Sequence, residues 1–446
     1  MTSFHMQATI FTRAASLASA ALRLSHTLSE GAAEGMLNMC QNIYELLRPA
    51  VRQRTEPYPE DLTGKVAIVT GGNAGIGFAT AQQLARRGAH VVLACRDKAR
   101  AEAAVQAIAH WTPALPGCGP KATATASASA DHSPTGIRVE SMDLDLGRLS
   151  SVRSFAEEWR RRGLPLHLLV CNAGVMAPLE KTLTSDGLEV QFQVNFLSHW
   201  LLTHLLLDHE RERRREQQHA TTLMAAATAA AAAAAAAGKT PKAAAAAGEA
   251  GKPCTSNCSG GGACGDAILD RKDGSCNPAA GAVRTPQSAS STRVVIVSSV
   301  VHRAGVLQWS DLLSQRSYEP YITYGLSKLA TVIFAKELQR RLDRHPEYGL
   351  YDTAVAIHPG IVRTNLANGF FRTYTLSSVA GTPLEPLRGL WQRAWDKAGQ
   401  VLLTSPAQAA ERMLAACLAP PDQVAGKYLA LGRVYSADAV CGGQLS

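Results

Sequence analysis

Lys65-Val-Ala-Ile-Val-Thr70, followed at once by Gly71-Gly-Asn-Ala-Gly75-Ile-Gly77, decides how this chain is read. The first six residues form a short apolar, β-branched run, the kind that fills a strand buried on both faces of a parallel sheet. The glycines make a tight turn, after which Phe78, Ala81, Leu84 and Ala85 repeat at helical spacing. Strand, glycine turn and helix in this order form a dinucleotide-binding unit. Glycine lets the backbone turn and approach a pyrophosphate, and the helix N-terminus attracts its charge. The competing reading is a plain strand-to-helix turn, and the rest of the chain decides between the two.

A second strand, His90-Val-Val-Leu-Ala94, leads into Cys95-Arg96-Asp97-Lys98. In such units the end of this strand faces the adenosine ribose, where an acid suits a 2′-hydroxyl and an arginine suits a 2′-phosphate. Arg96, with Lys98 and Arg100 behind it, favours NADP(H) over NAD(H). A shift of one residue would put Asp97 there and reverse the preference. Much later comes Tyr324-Gly-Leu-Ser-Lys328, within a helical pattern of Leu326, Leu329, Ala330, Ile333 and Phe334. Positions i and i+4 share a helix face. A tyrosine with a pKa near ~10 is a poor acid or base at neutral pH, and a cation beside it favours the phenolate. The pair is a candidate proton donor and acceptor for carbonyl/alcohol interconversion.

In this company the chain resembles the short-chain dehydrogenase/reductase family over residues 61–208 and 293–446. The family's T-G-x-x-x-G-x-G runs from Thr70 to Gly77, and its N-A-G is Asn172-Ala173-Gly174. Its helix asparagine is Asn195, its serine is Ser299 in Val294-Val-Ile-Val-Ser-Ser299, and its P-G-x-x-x-T is Pro359-Gly360-Ile-Val362-Arg-Thr364. Ala94-Cys-Arg-Asp97, Gln191-Phe-Gln-Val-Asn195 and His358-Pro-Gly360 are most similar to the retinol-dehydrogenase-like branch. One departure is Ser198, where the family usually has glycine.

The resemblance implies a doubly wound, Rossmann-type α/β domain with a parallel sheet of about seven strands. It also implies hydride transfer between nicotinamide and a carbonyl or alcohol carbon. Tyr324 would then protonate the developing alkoxide. Lys328 would lower the tyrosine pKa and bond the nicotinamide ribose. Ser299 would position the substrate oxygen, and Asn195 would hold a water linking Lys328 to solvent. The cofactor would be held by Thr70, Gly71, Asn73, Gly75, Ile76, Gly77, Arg96, Asp145, Leu146, Asn172, Ala173, Gly174, Tyr324, Lys328, Pro359, Gly360, Val362 and Thr364. Light-driven protochlorophyllide reduction and a non-catalytic, NADP(H)-sensing scaffold remain as rival readings.

Three stretches exceed such a core. Residues 1–60 form an extension whose first 29 residues lack Asp and Glu but carry Arg13, Arg23 and several serines. That composition suits an organellar (chloroplast or mitochondrial) targeting segment, with a cytoplasmic or membrane-associated location as the alternative. Met36 to Arg48 is amphipathic and leaves peripheral membrane contact open. Residues 112–136 widen a loop. Residues 209–292 form an Ala/Gly/Cys-rich insert, read as a helix extension followed by disorder. The net charge of +9 is spread over arginine-rich helix faces without interleaved aromatics, so no nucleic-acid partner is expected. Cys254, Cys258, Cys264 and Cys276 lack paired zinc-ligand spacing, so no metal is expected. Phe370, Phe371, Tyr374, Leu387, Leu390 and Trp391 make the segment after Thr364 apolar, which points to a lipophilic carbonyl or alcohol substrate. A homodimer stays open.

Overall fold

Every residue of Val66–Thr70 (β1) is buried, as its unbroken apolar run requires. It lies within a computed structural model that describes residues 61–110, 136–236, 291–345, 352–364, 403–430 and 433–436. After β1 come helix α1 (Gly75–Arg86), strand β2 (His90–Cys95), helix α2 (Lys98–Ala109), strand β3 (Val139–Asp143) and helix α3 (Leu149–Arg162). Strand β4 (Leu168–Cys171) leads through a π-helical turn, Gln193–Leu197, into helix α4 (Ser198–Ala236). Strand β5 (Arg293–Val297), helix α5 (Pro320–Asp343), strand β6 (Thr353–His358), helix α6 (Pro406–Leu418) and strands β7 (Lys427–Ala430) and β8 (Arg433–Ser436) complete the order.

The strands form one sheet in the order β3-β2-β1-β4-β5-β6-β7-β8. Neighbours from β3 to β7 pair in parallel. The sheet has one strand more than expected, because β8 returns antiparallel beside β7 after a connection too short for a parallel crossover. Along β1, Val66 and Ile68 join one apolar cluster with Phe155 and Trp159 of α3, Leu202 and Leu206 of α4, and Leu329 and Val332 of α5. Ala67 and Val69 join the other, with Leu84 of α1, Ile108 of α2 and Met413 of α6. Alternation along the strands thus builds three layers, helices over both sheet faces.

Helix ends follow ordinary capping chemistry. Gly163 closes α3 at φ +63°, and Ser405 with Gln408 forms a capping box at the start of α6. Helix α4 continues through the charge run and into the alanine tract as far as Ala236. The chain divides into two units, residues 1–213 with 284–446, and residues 214–283, the second described here by its helical residues 214–236. The amphipathic stretch 36–48, the insert cysteines and the apolar residues from Phe370 to Trp391 lie outside the described residues.

Candidate active site

The strand order reverses direction at β1, whose neighbours are β2 on one side and β4 on the other. Ligands of open α/β sheets sit in the crevice beyond the strand carboxyl ends at such a switch point. Thr70 ends β1 there. Its hydroxyl accepts the N–H groups of Asn172 at 2.9 Å and Ala173 at 3.0 Å, while Asn172 Nδ2 donates to the Thr70 carbonyl at 2.9 Å. The glycine turn and the N-A-G turn are therefore bonded together. Gly71 and Gly75 take φ of +63° and +57°, conformations that glycine adopts without strain. A Cβ on Gly77 would strike the Asn172 amide and the Gly71 carbonyl. Asn73 and Ile76 are half-buried between these glycines. Beneath the turn, the Cys95 thiol meets the backbone of Gly72 and Asn73, and burial raises its pKa.

Arg96 is exposed directly after β2. Asp97 caps α2 instead, accepting from Arg100 N at 3.0 Å. After β3, Asp145 accepts from Gly147 N at 2.9 Å and pairs with Arg148 at 3.3 Å. The buried Leu146 next to it accepts a 2.6 Å bond from the Ser198 hydroxyl through its carbonyl. The family's missing glycine is thus replaced by a side chain with a partner of its own. Gly360 has φ +101°, and the Pro359 carbonyl accepts from Arg412 Nη1 at 2.9 Å. Val362 is buried and bridges to Thr404, and the Thr364 methyl lies 3.1 Å from the Cβ position of Gly75. The segment after β6 thereby reaches the glycine turn.

Helix α5 opens with Pro320 behind a Glu319 cap and carries Tyr324, Ser327 and Lys328, all buried. Ser299, after β5, accepts from Val301 N at 3.3 Å and hydrogen-bonds Tyr324. Lys328 Nζ donates to the Val297 carbonyl at 3.1 Å and stands 5.7 Å from the centre of the Tyr324 ring. It also lies 3.6 Å from the Cβ position of Gly174, so the N-A-G turn touches the acid/base pair. Burial lowers the Lys328 pKa to about 8. Burial pushes the Tyr324 phenol up, with the Ser299 bond opposing. This differs from the expectation that Lys328 lowers the phenol. Its ammonium stands over the ring and donates to the Val297 carbonyl, and burial is the larger influence on the phenol.

Asn195 sits in the π-helical turn. Its side chain accepts from Val175 N at 2.8 Å and donates to the Val175 carbonyl at 3.0 Å and Ser327 Oγ at 2.9 Å. The side chain thus ties the turn after β4 to helix α5. Nearby, Gln191 accepts from the N–H of Ala177, a residue held at φ +42°, at 2.7 Å and donates to the Pro320 carbonyl at 3.3 Å. Sequence reasoning passed over Gln191, Ser327 and His199. The available signal was spacing, since Gln191 and His199 lie one helical turn either side of Asn195. A small cavity lined by Lys65, Val66, His167 and Cys417 lies at the amino ends of β1 and β4, away from all these groups.

The short chain dehydrogenase family pattern matches residues 65–116. Retinol dehydrogenase 14 of Mus musculus is 31% identical over 316 residues, covering 71% of this chain and 66% of that protein. Retinol dehydrogenase 12 of Bos taurus is 30% identical over 345 residues, covering 76% of this chain and 75% of that protein. Polyprenol dehydrogenase of Homo sapiens is 29% identical over 351 residues, covering 78% and 76%. With a doubly wound sheet, a glycine turn at its switch point and relatives of this coverage, the chain belongs to the short-chain dehydrogenase/reductase family, in its retinol-dehydrogenase-like branch.

Proposed function

We propose that the protein is an NADP(H)-dependent oxidoreductase acting on a lipophilic carbonyl or alcohol. The observation that carries this reading is the meeting of Ser299, Tyr324 and Lys328 beside Gly174 at the carboxyl edge of the sheet. The glycine turn fits a dinucleotide, because Gly77 has no room for a Cβ and the α1 N-terminus stands at the end of the turn. Nicotinamide, when bound, supplies the hydride. Arg96 would meet a 2′-phosphate, since Asp97 is occupied in capping α2. Asn172 to Gly174 would line the adenosine side, and Val362 and Thr364 would hold the carboxamide end.

For the chemistry, Ser299 would donate to the substrate oxygen and fix it beside the Tyr324 hydroxyl. Tyr324 would give its proton to that oxygen during reduction and take one during oxidation. A phenol raised by burial is a proton donor at neutral pH, and the Lys328 ammonium over its ring would limit the cost of the deprotonated form. The relatives, retinol and polyprenol dehydrogenases by name, support an isoprenoid-type alcohol or aldehyde. NADPH oxidation in the dark, across a panel of retinal, long-chain isoprenoid aldehydes and small polar aldehydes, tests the reading. Turnover confined to lipophilic aldehydes is expected. Absence of dark turnover across the panel would overturn it.

A further inference from the structure

We propose that His199 is a positioning residue, a neutral link protonated on Nδ1 that joins the cofactor turns to the helix carrying Tyr324. The proposal rests on the function given above. The imidazole is buried, with Nδ1 3.1 Å from the Asn195 carbonyl and Nε2 2.9 Å from the Thr70 hydroxyl. A carbonyl only accepts, so the proton belongs on Nδ1, and Nε2 of the neutral ring is then an acceptor. The Thr70 hydroxyl donates its single proton to Nε2, a shorter path than the 3.3 Å to the Val170 carbonyl. Its lone pairs are left for the N–H groups of Asn172 and Ala173, both of which it accepts. The tautomer of His199 thus sets the direction of the hydroxyl that holds the N-A-G turn.

On its other side the line continues. Asn195 Nδ2 donates to Ser327 Oγ at 2.9 Å, and that hydroxyl donates to the Tyr324 carbonyl at 2.7 Å. Thr70, His199, Asn195, Ser327 and Tyr324 are therefore joined across the floor of the site. Histidine suits the centre because its rigid ring presents a donor and an acceptor on different edges without a charge. A charged link would stand near the Lys328 ammonium, whose field opposes a second cation there.

The full-length protein, labelled with 15N, gives the first test. Two-bond imidazole correlations at pH 7 should show His199 as the Nδ1–H tautomer, and the Nε2–H form would overturn the proposal. His199→Asn keeps a donor near the Asn195 carbonyl but does not reach Thr70. NADPH affinity should fall about tenfold, the value of roughly one buried hydrogen bond, with kcat within about threefold. His199→Gln reaches toward Thr70 and leaves the Asn195 carbonyl, so kcat should fall about tenfold with NADPH affinity within about threefold. Equal losses in both parameters for both variants would indicate a merely structural histidine and overturn the proposal. Should a variant fail to fold, Thr70→Val replaces it, with the same loss of NADPH affinity expected and an unchanged affinity counting against the link. The tautomer and NADPH titrations need no turnover. An inactive wild type with the expected tautomer and affinities would sink the functional reading and leave the link standing.

Discussion

Tyr324 hydrogen-bonds Ser299 and lies beneath Lys328, so one oxygen atom carries the proposed proton transfer. Tyr324→Phe deletes that atom and little else. Turnover should fall by about 100-fold or more, the range of a positioned general acid, while fluorescence titration gives NADPH affinity within about threefold of wild type. Arg96 is exposed, so its contribution is electrostatic and local. Arg96→Ala should weaken NADP(H) by about tenfold or more and leave NAD(H) within about twofold, and an equal loss for both would identify a structural arginine. His199 gives the protein an acid-sensitive point. Burial and the nearby Lys328 charge lower its pKa from 6.5 to about 4. The unfolded chain therefore binds a proton between those values that the folded one refuses. The stability linked to this group is fully present above pH 6.5 and lost as pH falls toward 4, on the order of 3 kcal/mol in all. Urea unfolding at pH 7, 6 and 5 should show the decline, and His199→Asn should flatten it.

The element that fixes the site is the β1–turn–α1 unit, and Gly77 is its tightest position. Gly77→Ala would push a methyl into the Gly71 carbonyl, a backbone atom that cannot rotate away. A stability loss of roughly 1–3 kcal/mol in urea is expected, together with NADPH affinity at least about tenfold weaker. This unit could be read from sequence because its strand, turn and helix are consecutive and each states its own periodicity. The order Arg96 then Asp97 was legible too, but the engagement of the Asp97 carboxylate in capping α2 was not. The setting of Asn195 was hidden, since its side chain bonds Val175, 20 positions away, and Ser327, 132 positions away. No local pattern records such pairings, and the role inherited from the family left His199 unseen. Strand β8 escaped notice because its four residues are exposed and bury no apolar face.

At the scale of the molecule, residues 237–290 interrupt the chain between α4 and β5 without supplying any recognised motif of the site. Replacing Lys239 to Gln287 with a short Gly/Ser linker should leave NADPH affinity and kcat within about threefold. Shortening a loop changes closure entropy slowly, by about 0.6 kcal/mol for each halving, so stability should hold or rise slightly. The pairing of β4 with β5 gives the same deletion a second consequence. Leu168 pairs with Arg293, and the whole insert must be looped out before these two central strands can meet. Parallel pairings between residues far apart in sequence fold slowly, because the chain loses its freedom before it gains the contacts. The insert therefore slows folding, and it lowers stability only by the same modest factor. The shortened protein should refold several-fold faster in stopped-flow while unfolding at an unchanged rate, and during synthesis the β3-β2-β1-β4 half would stand with an open strand edge until β5 arrives.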